Sequence, residues 1–186
     1  MVTEIRIYYE GAAELREGFR SFFREIETAN EGHPPKCIAG RGREQAIADF
    51  RKAIAKHSEA LNCLLIDSDT ADTGHLFETI CQPQRVPEAF KDRVFWMVEC
   101  MESWFLADIQ AVGQYYQADL AEALRGNPRV EEIPKRDVLR RLKAATNGRY
   151  HKTQDAPHLL KRIRPDRVRQ AAPHCRRLFD RFLSNS

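Results

Sequence analysis

The chain has 186 residues, of which 42% are hydrophobic and 31% are charged, and its formal net charge at pH 7 is +3. This length allows one domain with a packed core, and the composition is that of a globular protein in water. No apolar run approaches the ~20 residues that cross a bilayer, and the start lacks the basic and apolar segments of a signal peptide. The sequence therefore predicts a cytoplasmic protein with no membrane partner.

Cysteine usage and charge distribution refine this picture. The five cysteines are scattered and form no CxxC motif, which favours reduced, buried thiols over disulfides or a zinc site. Residues 135–186 hold 15 Lys and Arg against 4 Asp and Glu, whereas residues 1–134 hold 15 against 23. We therefore expect an acidic core, 1–134, with a basic helical extension, 135–186, packed on it. Nucleic acid would suit such an extension, although solvated helix faces would give the same composition.

Four short apolar segments predict strands, and apolar residues at helical spacing predict helices between and after them. The strands are expected at about 4–9, 36–40, 61–69 and 94–98, and the helices at about 15–26, 46–54, 99–108, 135–146 and from Pro173. Residues 70–92 contain two prolines and predict a loop with one short helix. This alternation predicts an α/β fold with a mainly parallel, Rossmann-like sheet covered by helices.

Acidic residues follow two of the predicted strands. Glu10 ends the first strand, and Asp67 and Asp69 end the third. Parallel α/β sheets bind ligands at the carboxyl ends of their strands. If the two strands are neighbours, each carboxylate pair at ~5 Å repels by roughly 3 kcal/mol, and Mg²⁺ or Mn²⁺ is a natural counter-charge. Glu14 can face the same pocket, or be only a favourable acid at the start of a helix.

Two other acids and two arginines are candidates. Glu102 shares a predicted helix face with apolar residues, and a buried carboxylate must be paired or metal-bound. Asp108 ends the same helix and could be functional or simply solvated. Arg41 and Arg43, alternating with glycines after the second strand, suit a phosphate-binding turn before a helix.

The segments Glu10-Gly-Ala-Ala-Glu14 and Asp67-Ser-Asp69, each following a strand, resemble the motifs of a TOPRIM domain. This metal-dependent fold occurs in topoisomerases, bacterial primases and OLD-type nucleases, and the first segment is similar to the OLD-type form. The whole chain, including residues 97–108 and 150–152, resembles a small bacterial TOPRIM-like family of unknown function. Members of that family are often encoded beside ABC- or AAA-type ATPases in phage-defence loci.

The resemblance implies a Mg²⁺- or Mn²⁺-dependent nuclease, or a nuclease subunit, that acts in antiviral defence with an ATPase partner. The catalytic residues would be Glu10, as general acid/base or metal ligand, and Lys152, which would neutralise charge on the phosphate. Asp67 and Asp69 would hold one metal ion, and Glu14 and Glu102 a second. Nucleic-acid phosphates would bind Arg41, Arg43, Arg140 and Lys143.

Other functions remain open at this point. The sequence offers no second domain large enough for the strand-passage tyrosine of a topoisomerase, and it lacks the cysteines of a primase zinc ribbon. Among TOPRIM proteins, a nuclease or nuclease subunit is therefore expected. A phosphatase of the haloacid-dehalogenase type would carry its Asp-x-Asp after the first strand and a Thr four residues further on. Here the Asp-x-Asp follows the third predicted strand and residue 71 is Ala71, so the chain departs from that pattern. A catalytically inactive module that binds an ATPase or nucleic acid is the main alternative. Aromatic residues are sparse in the basic extension, so the sequence does not predict base stacking there.

Overall fold

A four-stranded parallel sheet organises the protein, whose computed structural model describes residues 4–29, 32–120 and 129–183. The strands are β1 (Ile5–Tyr9), β2 (Lys36–Ala39), β3 (Leu61–Asp67) and β4 (Val94–Met97), in the order β2-β1-β3-β4. Every residue of β3 is buried, as expected for an apolar strand that is covered on both faces. The predicted α/β fold is confirmed.

Helices surround this sheet. The described α-helices are α1 (Arg16–Phe22), α2 (Arg24–Ala29), α3 (Arg43–Lys56), α4 (Ser103–Ala107), α5 (Ile109–Tyr116), α6 (Lys135–Ala145), α7 (Lys152–Leu160), α8 (Pro165–Ala171) and α9 (Pro173–Leu183). Residues 70–92 contain a short π-helix, Phe77–Cys81, and two 3-10 turns rather than one short helix.

The two faces of the sheet carry separate apolar clusters. One contains Phe19, Trp104 and Phe179, from helices on either side of β4 in the sequence, and the other is built around Phe50 of α3. The chain therefore covers one face between β1 and β2 and the opposite face between β2 and β3. This reversal makes the gap between β1 and β3 a topological switch point, where doubly wound sheets bind ligands.

The basic segment packs directly on the core. Phe179 of α9 meets Phe22 of α1 with ring centroids 5.7 Å apart, and Phe182 meets Phe95 of β4 at 6.2 Å. The predicted helices at 135–146 and from Pro173 are confirmed as α6 and α9. One apolar cluster includes residues from both sides of the predicted boundary at 134, so the division into two parts stays a prediction.

The helix predicted at 99–108 is shorter than expected, because α4 begins only at Ser103. The backbone N–H of Met101 donates to the Oδ1 atom of Asp67 at 2.9 Å. The hydroxyl of Ser103 donates to the carbonyl of Val98 at 2.6 Å. These contacts hold residues 98–102 in a turn that packs against the end of β3.

Two expectations from composition concern the whole fold. All five cysteines are buried and unpaired, which confirms the prediction of buried thiols. No helix in the part of the chain that the structure describes is both long and apolar enough to span a membrane.

Candidate functional site

Glu10 and Asp67 meet at the switch point between β1 and β3. The two strands are neighbours, with Tyr9 in register with Leu65. The N–H of Glu10 continues the ladder by donating to the carbonyl of Leu65 at 2.9 Å. Its Oε2 atom accepts the backbone N–H of Asp67 at 3.2 Å. The two residues therefore lie at the same edge of the sheet, as predicted.

A cavity of about 710 Å³ opens at this edge of the sheet. Predicted site residues that line it are Glu10, Glu14, Arg41, Asp67 and Lys152. Thr153, in the first turn of α7, and Gly11 and Ala12, which follow β1, also line it. Cavities of this size hold small ligands. Its wall carries both carboxylates and basic side chains, which suits an anionic ligand and a cation together.

The turn from β2 to α3 positions Arg43. A Cβ atom at Gly40 would lie 2.5 Å from the backbone of Ala46, so glycine is required for this close approach. Arg43 then begins α3, and its Nε atom donates to Glu10 Oε2 at 3.1 Å. Its Nη2 atom donates to the carbonyl of Asp67 at 3.0 Å and to the carboxylate of Asp69. Arg43 thus joins the ends of β1 and β3.

Asp67 is buried, with only 7% of its surface exposed. Its Oδ1 atom accepts one backbone N–H, and its Oδ2 atom lies 3.8 Å from the Nζ atom of Lys135. Burial, reinforced by the negative charges of Glu102 and Glu10, raises the pKa of Asp67 to about 7 against the opposing effect of Lys135 and Lys152. This carboxyl group therefore titrates near neutral pH.

Asp69 has a different environment, because the chain turns away from the strand with a φ of 56° at this residue. Its carboxylate binds Arg43 on one side and Lys135 on the other. Burial opposes its ionisation, but the hydrogen bonds from Lys135 and Arg43 prevail and lower the pKa of Asp69. The two aspartates do converge on one cation, and in this structure that cation is the ammonium group of Lys135.

Sequence reasoning missed Lys135. This residue lies 66 positions after Asp69 and begins α6, where its backbone N–H donates to Glu99 Oε2 at 2.7 Å. It is one of several basic residues in that helix, and only the packing of α6 selects it. The repulsion expected among the site carboxylates is thus offset by Arg43 and Lys135.

Glu102 forms a second, deeper charge pair. It is fully buried, and its Oε1 atom lies 2.9 Å from Lys152 Nζ and 3.5 Å from the hydroxyl of Tyr150. Its Oε2 atom has no hydrogen-bond partner. Burial disfavours the charge on Lys152, but Glu102 outweighs this effect and raises the pKa of Lys152. Lys152 therefore stays cationic while it lines the cavity, whereas Glu102 lies behind the cavity wall.

A chain of polar contacts anchors the loop that follows Asp69. The Oγ1 atom of Thr73 lies 3.0 Å from Nε2 of His174 at the start of α9. The Nδ1 atom of His174 lies 2.8 Å from Oε2 of Glu131, and its backbone N–H donates to Oε1 of the same residue. These contacts fix the loop against the basic segment, and so restrict the position of Asp69.

Three candidates lie away from the cavity. Asp108 is buried and accepts hydrogen bonds from Nε and Nη2 of Arg164 at 2.9 and 2.7 Å, so it joins α5 to α8 rather than being solvated. Arg140 pairs at 3.0 Å with Asp137 of the same helix. Lys143 is exposed on α6, and neither of these two basic residues lines the cavity.

A hard divalent cation would fit the pair formed by Glu10 and Asp67. Mg²⁺ prefers oxygen ligands, keeps several waters, and is often held by one or two carboxylates together with substrate phosphates. Both residues line the cavity, and within the described part of the chain the basic atom nearest to Asp67 Oδ2 is Lys135 Nζ at 3.8 Å. Among residues 4–29, 32–120 and 129–183, no three His, Cys, Asp or Glu side chains form a complete metal cage. An ion would therefore depend on water or substrate for its remaining ligands.

The fold and site define a doubly wound α/β protein with a charged cavity at its switch point. Residues 12–183 match the domain of unknown function DUF4276, and the chain belongs to that family. No curated protein matches the chain, and no solved structure matches it. The resemblance to TOPRIM domains stays a prediction from the sequence motifs.

Proposed function

We propose that the protein hydrolyses phosphodiester bonds of nucleic acid with Mg²⁺ or Mn²⁺ bound at the carboxyl edge of the sheet. The observation that carries the proposal is the meeting of Glu10 and Asp67 in one cavity whose wall also holds Arg41 and Lys152. A phosphate group needs basic partners for its charge, and a hydrolytic site needs carboxylates for metal binding and proton transfer. Both sets of groups line this cavity.

In this proposal Glu10 and Asp67 would hold the ion. The ion would polarise the phosphate and lower the pKa of a bound water. The N–H of Asp67 and the guanidinium of Arg43 fix the orientation of Glu10, whose carboxylate could also accept a proton from the attacking water. Lys152 would stabilise the charge that develops on the phosphate, because Glu102 keeps it cationic at the cavity wall.

The basic helices support nucleic acid as the polymer that carries the phosphate. The segment 135–186 has an excess of 11 basic residues, and part of it, the first turn of α7, forms one wall of the cavity. Lysine and arginine in such excess favour binding to a polyanionic backbone. An ATPase partner and a role in phage defence remain predictions from the family resemblance.

A second candidate function is a module that binds nucleic acid or an ATPase without cleaving it. The observation that favours it is the pairing of the site carboxylates with Arg43, Lys135 and Lys152. These three cations neutralise negative charge of the carboxylates, so a metal ion is not needed for that purpose. In that case Mg²⁺ would have little effect on the protein.

A cleavage assay separates the two functions. Purified protein is incubated with plasmid, single-stranded DNA and RNA in Mg²⁺, Mn²⁺, Ca²⁺ or EDTA. We expect cleavage in Mg²⁺ or Mn²⁺ that is lost in EDTA and in the Asp67→Asn and Glu10→Gln variants. Glu59→Gln is the matched control, because Glu59 is an exposed acid before β3, at the opposite edge of the sheet. Absence of cleavage would contradict the hydrolytic function. A melting temperature that still rises in Mg²⁺ would then keep the metal site, and an unchanged melting temperature would favour the binding module.

A further inference from the structure

The surface formed by α5 and the end of α7 contains a stacked group of aromatic and guanidinium side chains. Tyr115 of α5 and His158 of α7 stack with ring centroids 6.1 Å apart and planes inclined by 17°. The guanidinium of Arg162, just after α7, lies 5.2 Å from the centroid of the Tyr115 ring. His158 and Arg162 are exposed, whereas Tyr115 is partly buried beneath them. We name these three residues the stacking patch.

The position of the stacking patch is rigidly set. The hydroxyl of Tyr115 donates to Asp155 Oδ1 at 2.8 Å, and the hydroxyl of the adjacent Tyr116 donates to Asp155 Oδ2 at 2.9 Å. Arg162 Nη1 donates to the carbonyl of His158 at 3.1 Å. The carboxylate of Asp155 thus accepts a hydrogen bond from each tyrosine. The outward side of the patch is left to an imidazole ring and a guanidinium plane.

The same helix serves the cavity and the stacking patch. Lys152, Thr153, Ala156 and Pro157 of α7 line the cavity, and His158 is the next residue. Lys152 and His158 are six residues apart, or ~9 Å along a helix. At ~100° per residue, however, His158 projects on the opposite side of α7 from these four cavity-lining residues, so a strand whose phosphate lies in the cavity would cross the helix, ~10 Å wide, to reach the patch. Unstacked bases of single strands are bound by just these groups, histidine rings and arginine planes.

We propose that the stacking patch binds an unpaired base of a single-stranded nucleic acid, on the side of α7 that faces away from the cavity. This inference takes its ligand from the proposed function but does not depend on hydrolysis. Its neighbours Arg149, whose guanidinium lies 5.2 Å from the Tyr116 ring, and Lys161 add positive charge for the backbone. The basic extension alone did not predict stacking, because the tyrosine beneath the patch comes from α5, outside that segment.

Binding without metal tests the inference separately from cleavage. Fluorescence anisotropy in EDTA would compare a labelled 12-nucleotide single strand, a strand of the same length with abasic sites, and the corresponding duplex. We expect the wild type to bind the intact strand about tenfold more tightly than the abasic strand, since stacking contributes ~1–3 kcal/mol per base. His158→Ala should lose this preference and bind both strands with the affinity of the abasic one.

Two further variants separate stacking from charge. Arg162→Lys keeps the charge and removes the guanidinium plane, and should weaken binding of the intact strand severalfold. Lys161→Ser removes a neighbouring exposed charge and should weaken intact and abasic strands equally. Circular dichroism confirms that each variant is folded.

Several results would overturn the inference. Equal wild-type affinity for intact and abasic strands would show that binding depends on the backbone alone. An unchanged preference in a folded His158→Ala variant would remove the patch from recognition, and absence of binding to any strand would indicate a protein partner instead. If base-dependent binding persists in a protein that never cleaves, the proposed hydrolysis fails and the strand-binding surface stands.

Discussion

Asp67 and Asp108 are both buried aspartates, yet their surroundings shift their pKa values in opposite directions. Asp108 accepts two hydrogen bonds from the Arg164 side chain, one from its backbone N–H at 2.9 Å, and one from the N–H of Ala111 at 3.4 Å. Burial disfavours its charge, but these contacts prevail and lower the pKa of Asp108. The Asp67 carboxylate accepts one hydrogen bond from the described residues, that of the Met101 N–H, and its pKa is raised to about 7.

This difference distinguishes a structural carboxylate from a reactive one. Every contact of Asp108 stabilises its charge within the protein, so no further ligand is needed at the joint between α5 and α8. The negative charges of Glu102 and Glu10 act on Asp67, which lines the cavity. A buried carboxylate that the fold leaves incompletely compensated is a candidate for function. The predictions below test this contrast, from the largest expected effect to the smallest.

Replacement of Asp67 by Asn should give the largest effect on activity. If Asp67 holds the catalytic ion, Asp67→Asn should lower kcat/KM for nucleic-acid cleavage by about 10²–10³ or more, a size typical for loss of one electrostatic group. The melting temperature at pH 8 should stay the same or rise, because Asn keeps an oxygen for the Met101 N–H and carries no buried charge. Asp108→Asn is the control, and should keep kcat per folded molecule. Retained cleavage in Asp67→Asn would remove Asp67 from the site.

Replacement of Asp108 by Ala should lower the stability of the protein rather than its activity. Loss of one partner of a buried ion pair typically costs ~3–5 kcal/mol. Since the Arg164 side chain is 45% exposed and can be rehydrated, we expect a loss of only about 2 kcal/mol in the free energy of unfolding. Urea denaturation measures this loss. Asp166→Ala, which removes an exposed acid of α8, should change stability by less than ~0.5 kcal/mol. Equal effects of the two substitutions would mean that the Asp108–Arg164 pair contributes nothing to the joint.

The contrast between the two aspartates could not have been predicted from the sequence. Hydrophobic patterns identified the four strands, and the continuous apolar run before Asp67 correctly indicated a strand that is covered on both faces. The sequence did not predict that β1 and β3 are neighbours, because several strand orders fit the same pattern of strands and helices. Their adjacency could only be assumed. Once that condition holds, Glu10 and Asp67 must meet at one edge.

The partners of the carboxylates were not predictable, because they come from distant parts of the chain. Lys135 and Arg164 are two of 15 basic residues in the segment 135–186, and no local pattern distinguishes them from their neighbours. Glu102 was expected on the buried face of a helix, and its burial is confirmed, but the helix begins one residue later and its partner is Lys152. Helix packing decides these pairs, and a single sequence does not encode helix packing in a readable form.

The pH dependence of stability should separate the two aspartates. The pKa of Asp67 is raised on folding, so the folded state binds more protons than the unfolded state between about pH 4 and about 7. The contribution of protonated Asp67 is present below this window and is lost as the pH rises through it. The pKa of Asp108 is lowered, so its contribution is present above about pH 4 and is lost as the pH falls below that value.

Urea denaturation of the metal-free protein from pH 3 to pH 8 checks both signs. Between pH 4 and pH 7, the free energy of unfolding of the wild type should fall by up to about 4 kcal/mol relative to that of Asp67→Asn. Asp108→Asn should differ from the wild type above pH 4 and approach it in acid. Parallel curves for the wild type and Asp67→Asn would show that Asp67 is not protonated near neutral pH.

Removal of Lys135 should have the smallest effect on stability. It tests whether Lys135 neutralises the charges of Asp67 and Asp69. Its side chain is 35% exposed, so Lys135→Gln should change the free energy of unfolding by less than ~1 kcal/mol. Since Lys135 lowers the pKa of Asp67, its loss should move the titration midpoint of that carboxyl upward from about 7, which carboxyl NMR can follow.

Divalent-ion affinity then decides whether Lys135 and a metal ion compete. Lys135 lies within 4 Å of both Asp67 and Asp69, where it would oppose an incoming cation. After correction for the protonated fraction of Asp67, whose midpoint the NMR titration gives for each protein, Lys135→Gln should bind Mn²⁺ severalfold more tightly by calorimetry, and Lys52→Gln, at an exposed lysine of α3, should not. An affinity that falls on removal of Lys135, or no Mn²⁺ binding by either protein, would assign the counter-charge of the two aspartates to Lys135 alone and leave the binding module as the function of this site.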